Sequence, residues 1–186
     1  MRETLRLVFI LTIICAVAAI SLAKVYEVTK EPIAYQRRLQ KLRALKAVLP
    51  DFDNEPDKDI KEVPFGKKNI LFYLGYKGNE LTGTAVKAVG DGFGGSIELM
   101  VGIKPDGVIN GVEILTHKES PGLGARIIED KFKGQFKGRS LANTTWLVKK
   151  DGGDIDQITA ATISPRGVTK AIDEALKLYK KYAPPM

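Results

Sequence analysis

The most prominent pattern along the chain is an uncharged apolar run near the amino terminus, from Leu7 to Ala23, flanked by Arg6 and Lys24. A helix of this length would be about 26 Å long, close to the lower limit for crossing a bilayer. The flanking basic side chains can extend its reach by snorkelling to the two interfaces. The pattern therefore predicts one N-terminal transmembrane helix, with a membrane anchor over residues 1–24.

Two other interpretations of this segment stay open. Arg2 and Arg6 suit the basic end of a secretory signal peptide, and Ser21-Leu22-Ala23 is an acceptable cleavage sequence. The uncharged run exceeds the usual signal-peptide length of about 7–15 apolar residues, which favours an uncleaved anchor. Cys15 could accept a lipid, but the bulky Ile14 before it favours a plain apolar role. Basic residues stand on both sides of the run, so charge alone does not orient it.

The region after the anchor, residues 25–60, is predicted to hold an amphipathic helix and an acidic loop. Pro32 is expected to interrupt a first helical stretch. A second helix, ending before Pro50, is indicated by leucines at spacings of three and four: Leu39, Leu42, Leu45 and Leu49. Its other faces are basic, and we interpret them as solvated. Residues 51–59 are acidic and rich in turn formers, which predicts the loop.

Residues 61–186 are predicted to form an α+β domain, an antiparallel sheet with helices packed against it. Apolar and β-forming runs predict strands at 70–77, 81–89, 96–104, 108–116 and 145–149. Gly78-Asn79 suits a tight hairpin between the first two. The third strand alternates, and one face carries Ile97, Leu99, Val101 and Ile103.

Two helices are expected in the same domain. The first is short and spans 125–136, with Ile128 and Phe132 facing inwards. The second spans 165–182 and carries an apolar stripe of Val168, Ile172, Ala175, Leu176 and Tyr179.

The composition excludes several kinds of functional site. The 186 residues carry 29 basic and 22 acidic side chains, a net charge of +7, and the interspersed signs argue against nucleic acid as a partner. Cys15 and His117 are single residues of their kinds, which excludes an internal disulfide framework and a multi-histidine metal centre. The sequence offers no hydrolytic set of nucleophile, base and acid. We therefore predict no metal site and no catalytic residue.

Residues Gly90 to Gly95 match the pattern G-x-G-x-x-G. A dinucleotide site would require a helix directly after the glycines, so that the helix N-terminus meets the pyrophosphate. An alternating strand follows instead. We therefore predict a glycine-rich connection between strands, which can let a ligand approach the backbone closely.

A loop from His117 to Gly124 combines an imidazole, a carboxylate and two glycines. His117 and Glu119 could form an acid–base pair. The alternative is a solvated turn at a strand end. Gly122 and Gly124, two residues apart, suit a backbone that lies against a flat ligand.

The stretch from Asp156 to Pro165 leads into the last helix. Ser164 is a natural N-cap and Pro165 a natural first helical residue. Thr162 therefore lies just before a helix N-terminus, where backbone N–H groups and the helix dipole favour an anion such as phosphate. The residues alone leave this evenly balanced against ordinary capping.

These stretches resemble the FMN-binding domain of membrane redox complexes, in particular the G subunit family of the Rnf electron transport complex. The family signature is an acidic residue, two variable positions and Ser/Thr-Gly-Ala-Thr; here it runs from Asp156 to Thr162, with Ala160 in place of glycine. The loop from Glu119 to Gly124 resembles the family's Glu-Thr-Pro-Gly-Leu-Gly, with Ser120 for threonine. Gly92 to Ile103 resembles its glycine-rich turn and strand. The likeness thus covers nearly the whole chain.

The resemblance implies that Thr162 carries FMN through a phosphoester bond, installed by a separate flavin transferase that uses FAD. It implies further cofactor contacts from Glu119, Ser120, Pro121, Gly122, Leu123, Gly124, Thr159, Ala160 and Ala161. The chain would be an electron-transfer subunit of an ion-translocating ferredoxin:NAD oxidoreductase, a translocase, with the other Rnf subunits as partners. Its N-terminus would be cytoplasmic, and the flavin domain would lie outside the bacterial inner membrane.

Two other functions stay open. One is the C subunit of the related sodium-translocating NADH:quinone reductase, although the short chain favours the Rnf subunit. The other is an anchored extracytoplasmic binding module without a cofactor, which needs only the anchor and the basic domain. Flavin fluorescence that survives denaturation would separate a covalent flavoprotein from such a module.

Overall fold

The computed structural model of the chain describes residues 1–65 and 68–183. It contains a long helix α1 (Arg2–Val48) and five strands, followed by a short helix α2 (Asp130–Lys133) and a C-terminal helix α3 (Ile163–Tyr182). The strands are β1 (Ile60–Phe65), β2 (Lys68–Lys77), β3 (Glu80–Asp91), β4 (Ser96–Ile103) and β5 (Ile109–Thr116). The chain divides into two compact units, Met1–Gln40 and Lys41–Met186.

Helix α1 is long and apolar enough at its N-terminal end to cross a membrane, and none of its most apolar window is buried. The prediction that Pro32 interrupts the helix is wrong, because α1 runs through it. A proline removes one backbone hydrogen bond, which is a local penalty. Helix-forming neighbours such as Glu31 and Ala34 keep the rest of the ladder favourable.

The last turns of α1 belong to the core of the second unit. Ala44, Leu45 and Val48, with Leu49 directly after the helix, are buried against Tyr73, Ala85 and Met100 of the sheet. The predicted amphipathic helix is therefore confirmed, with its leucine stripe most deeply buried at the C-terminal end. Leu42, one turn earlier, is only half-buried.

The five strands form one antiparallel meander in the order β1-β2-β3-β4-β5. The hairpin at Gly78 is confirmed, since Lys77 pairs with Glu80 across it. The two faces of strand β4 pack into different hydrophobic cores. Its Ile97, Leu99, Val101 and Ile103 join the core under α3, whereas Met100 joins the core under α1. The sheet is covered on both faces, which confirms the predicted α+β class.

Two strand assignments differ from the expectation. Strand β1 was not predicted, because Lys61, Glu62 and Pro64 obscure its pattern; an edge strand tolerates all three. The strand predicted at 145–149 is wrong. Only Val148 forms an isolated bridge there, with Ile155, since the segment folds back on its own loop instead of a neighbouring strand.

The helix predicted over 125–136 is broken into three short pieces: a 3-10 helix at Gly124–Ile128, α2, and a 3-10 helix at Gly134–Phe136. Glu129 adopts an extended conformation between the first two, which changes the side-chain register. As a result Ile127 is buried and Ile128 is half exposed, contrary to the expected orientation. Phe132 is buried as predicted and packs edge-to-face on Phe136, with ring centroids 5.4 Å apart.

Helix α3 packs on β3 and β4, and its predicted apolar stripe is buried. Its start differs from the prediction. The helix begins at Ile163, so Thr162 takes the N-cap position and makes no side-chain capping bond there. Ser164 is not the N-cap because its hydroxyl is buried and donates to a carboxylate from another loop.

We expect Leu45→Ala to lower the free energy of unfolding by about 2–5 kcal/mol, because it leaves a cavity between α1 and the sheet. The matched control Leu42→Ala, at a half-buried position, should cost about 1 kcal/mol or less. Urea unfolding of the detergent-solubilised protein, followed through the single Trp146, measures both. Equal stability of Leu45→Ala and the parent chain would place the end of α1 outside the folded domain.

Candidate functional site

The site is organised around Glu119, a carboxylate that is only 5% exposed. It accepts hydrogen bonds from the backbone N–H of Gly94 at 2.8 Å and of Phe93 at 3.3 Å. The hydroxyl of Ser164 donates a third. One side chain thus joins the β3–β4 turn, the loop after β5 and the first turn of α3.

Close packing around this carboxylate explains two of the glycines. A Cβ placed on Gly92 or on Gly124 would overlap an oxygen of Glu119. The glycine-rich run is therefore shaped by a side chain of the protein itself. The predicted connection between strands is confirmed, since β4 follows directly and Asp91 pairs with Ser96.

The imidazole of His117 does not bond to the carboxylate of Glu119. Its Nδ1 instead accepts the backbone N–H of Glu119 at 3.2 Å. This contact shapes the loop between β5 and the 3-10 helix. The geometry favours a structural turn over an acid–base pair.

The stretch from Asp156 to Thr162 contains a tight turn. The N–H of Ala161 donates to the carbonyl of Ile158 at 3.0 Å, and Ala160 within this turn has a φ of +62°. Ala160 is the one non-glycine residue with a positive φ in residues 1–65 and 68–183. This left-handed conformation costs an L-residue about 1–2 kcal/mol, which explains why glycine suits the position.

A cavity of about 250 Å³ lies between the three segments that Glu119 joins. It is lined by Phe93, Glu119, Ser120, Leu123, Gly124, Ala160, Ala161, Thr162, Ile163 and Ser164. Three apolar side chains at this cavity are exposed: Phe93 at 74%, Leu123 at 45% and Ile163 at 48%. Exposed apolar side chains around a cleft are typical of a ligand site.

Most of the predicted site residues meet at this cavity, but three do not line it. Pro121 and Gly122 are exposed in the neighbouring loop. Thr159 borders a different cavity, of about 150 Å³, together with Arg126 and Gln135. The turn at Ala160 therefore separates the two threonines of the motif, and Thr162 alone faces the larger cavity.

Sequence reasoning missed Phe93, Ile163 and the role of Ser164. The available signal for Phe93 was its place inside a glycine run. Neighbouring glycines have no side chains to cover an aromatic ring, so the ring is free to contact a ligand. No sequence signal marks the bond from Ser164 to Glu119, since the two residues lie 45 positions apart.

A bidentate ion pair holds the preceding loop against α3. The guanidinium of Arg166 donates to both oxygens of Asp151, at 2.6 and 2.5 Å. These bonds hold the pKa of Asp151 below its ordinary value. Their contribution to stability is therefore present at neutral pH and is lost as the pH falls through that lowered pKa.

Known protein families match both ends of the chain. A family model described as the FMN-binding domain matches residues 92–177, and one described as the RnfG N-terminal region matches residues 1–48. The G subunit of the ion-translocating oxidoreductase complex of Aliivibrio fischeri is 37% identical, over 90% of this chain and 86% of the relative. The G subunit of the proton-translocating ferredoxin:NAD(+) oxidoreductase complex of Clostridium ljungdahlii is 39% identical, over 90% of this chain and 86% of that one.

Solved structures share the fold at lower identity. The C subunit of the Na(+)-translocating NADH-quinone reductase of Parabacteroides distasonis has a TM-score of 0.53 at 19% identity, over 74% of this chain and 73% of that one. NqrC of Shewanella oneidensis has a TM-score of 0.51, also at 19% identity, with coverages of 67% and 69%.

Fold and sequence together define a protein that combines one apolar N-terminal helix with an FMN-binding domain. The chain belongs to the family of G subunits of ion-translocating oxidoreductase complexes.

Ala160→Gly is expected to raise the free energy of unfolding by about 0.5–1 kcal/mol, because the relief of the left-handed strain exceeds the entropy cost of glycine. Ala161→Gly is the matched control. Ala161 has no positive φ, so its replacement should only lower stability. Thermal unfolding of both variants measures the difference, and an equal loss in both would contradict strain at Ala160.

Proposed function

We propose that the chain is the flavin-carrying G subunit of an ion-translocating ferredoxin:NAD oxidoreductase, with FMN esterified to Thr162. The observation that carries this proposal is the position of Thr162, half-buried at the start of α3, on the cavity between the two family motifs. The match to the FMN-binding domain covers strands β4 and β5, the loop after β5 and most of α3. The match of residues 1–48 favours a G subunit over the quinone-reductase C subunit, for which the likeness supports the fold alone.

Attachment requires a flavin transferase and FAD. The hydroxyl oxygen of Thr162 forms a bond to the FMN phosphorus, the pyrophosphate bond of FAD breaks, AMP leaves and the hydroxyl proton is released. The product is a phosphodiester with one negative charge. The first turn of α3 favours it there, because backbone N–H groups and the positive end of the helix dipole face this point.

The residues around Thr162 fit a tethered aromatic ring. Phe93, Leu123 and Ile163 provide exposed apolar surface from three segments that line the cavity. Phe93 can contact an aromatic ring by edge or by offset stacking. Bound FMN supplies reversible electron transfer, so the protein has to hold and orient the ring and needs no general base.

The same family supports a membrane arrangement for the chain. The apolar part of α1 anchors the chain in the bacterial inner membrane as a single span. We place its N-terminus in the cytoplasm and the flavin domain outside, where the domain exchanges electrons with the other members of the complex. The protein is therefore an electron relay and has no substrate chemistry of its own.

We expect Thr162→Ala to abolish flavin attachment in protein produced together with an active flavin transferase, because the accepting hydroxyl is gone. The parent chain should gain the mass of FMN less one water, and the variant should gain nothing. Intact mass and flavin fluorescence on a denaturing gel measure this.

Thr159→Ala is the matched control, since it removes the other hydroxyl of the motif on the opposite side of the turn. It should stay flavinylated, with reduced yield if the transferase reads the whole motif. Thr162→Ser should be modified less than the parent, because serine lacks the methyl group that restricts the rotamer. Flavin retained in folded Thr162→Ala, or mapped to another residue, would refute the attachment site.

A further inference from the structure

We propose that the buried carboxylate of Glu119 lowers the reduction potential of the flavin held at Thr162, and that Ser164 moderates this effect. The inference rests on the proposed function, since it concerns flavin in the cavity that Thr162 lines. It assigns to Glu119 a role in setting the potential, beyond the cofactor contact that the resemblance implied.

The first observation is that Glu119 forms part of the wall of the cavity and is nevertheless 5% exposed. Both of its carboxylate oxygens accept hydrogen bonds, one from Gly94 and the other from Phe93 and Ser164. Hydrogen bonds donated to both oxygens stabilise the charged, carboxylate form of such a group.

The second observation is that no cation compensates this carboxylate in the part of the chain that the structure describes. Across residues 1–65 and 68–183, none of the ion pairs includes Glu119. Lys118 precedes it but is exposed, and His117 contacts its backbone N–H. Neutral donors spread the charge of Glu119 without cancelling it, so a negative charge persists beside the cavity.

The third observation is that this charge is held in place. Gly92 and Gly124 leave no room for a Cβ beside the carboxylate, and its donors come from two segments distant in sequence. A fixed charge in a weakly polarisable environment acts on its neighbourhood far more strongly than an exposed one. Reduction of a flavin adds electrons to the ring, and a nearby negative charge makes that addition less favourable.

Ser164 is the donor to Glu119 that an ordinary substitution can remove. Two of the three donors are backbone N–H groups, which every substitution except proline leaves in place. The Ser164 hydroxyl is the one side-chain donor among these three contacts, and it is almost fully buried. Removal of the Ser164 hydroxyl leaves more of the negative charge of Glu119 facing the cavity. Removal of the Ser164 hydroxyl and removal of the Glu119 charge should therefore shift the potential in opposite directions.

The test uses full-length protein produced with the flavin transferase and purified in detergent. Intact mass first establishes that the parent and each variant carry flavin. Spectroelectrochemical titration then gives the midpoint potential of the attached flavin. The variants are Glu119→Gln, which removes the charge but keeps an acceptor of the same size, and Ser164→Ala, which keeps the charge but removes its donor.

Glu98→Gln is the matched control. It removes the same charge from strand β4. Glu98 lies on the face of the sheet opposite Ile97, is half exposed, and pairs with Lys87 at 2.8 Å. An exposed pair is screened by water, so this change should leave the potential where it is in the parent.

We expect the midpoint potential to rise in Glu119→Gln, to fall in Ser164→Ala and to stay unchanged in Glu98→Gln. A merely structural role of Glu119 would loosen the cavity in both site variants and shift both potentials in the same direction. That result, or an unchanged potential in flavinylated Glu119→Gln, would overturn the inference alone. A parent chain without flavin mass would instead refute the proposed function, and the inference with it.

Discussion

The site depends on the burial of one carboxylate that forms no ion pair within residues 1–65 and 68–183. A buried anion is costly unless every oxygen finds a donor, and Glu119 meets this condition with two backbone N–H groups and one hydroxyl. These donors lie on segments that are far apart in the sequence. Satisfying the carboxylate therefore fixes the β3–β4 turn, the loop after β5 and the start of α3 relative to one another.

The rest of the fold supplies the framework for this meeting point. Strand β4 is buried on both faces, between the end of α1 and α3. A one-residue shift in its register would exchange the residues of the two cores, so the register is strongly specified. Because β4 leads out of the glycine-rich turn, that register also fixes where Phe93 and Gly94 stand beside Glu119.

The sequence predicted the parts of the fold that are governed by local periodicity. The alternation of β4 and the stripe of α3 repeat often enough to determine the type of element and the face that is buried. Strand β1 was missed because an edge strand with Pro64 needs only one partner and little alternation. The segment at Thr145 to Lys149 looked like a strand because an apolar run does not reveal whether a neighbouring strand is available.

The candidate site also has features that the sequence predicted and features that it could not predict. The family motifs brought Thr162 and the 119–124 loop to attention, and the structure brings most of their residues to one cavity. The partner of Ser164 could not be predicted, because a helix-capping pattern describes only neighbours in sequence. Its hydroxyl serves a carboxylate 45 positions away, and only the tertiary fold makes that contact visible.

The turn at Ala160 bears on how such proteins are recognised. Alanine adopts here the left-handed backbone that glycine favours, and the turn closes with the expected hydrogen bond from Ala161. The backbone conformation of the motif is thus retained although one of its residues differs. A pattern search that insists on glycine would pass over this chain, whereas a search for the turn followed by a threonine at a helix start would find it.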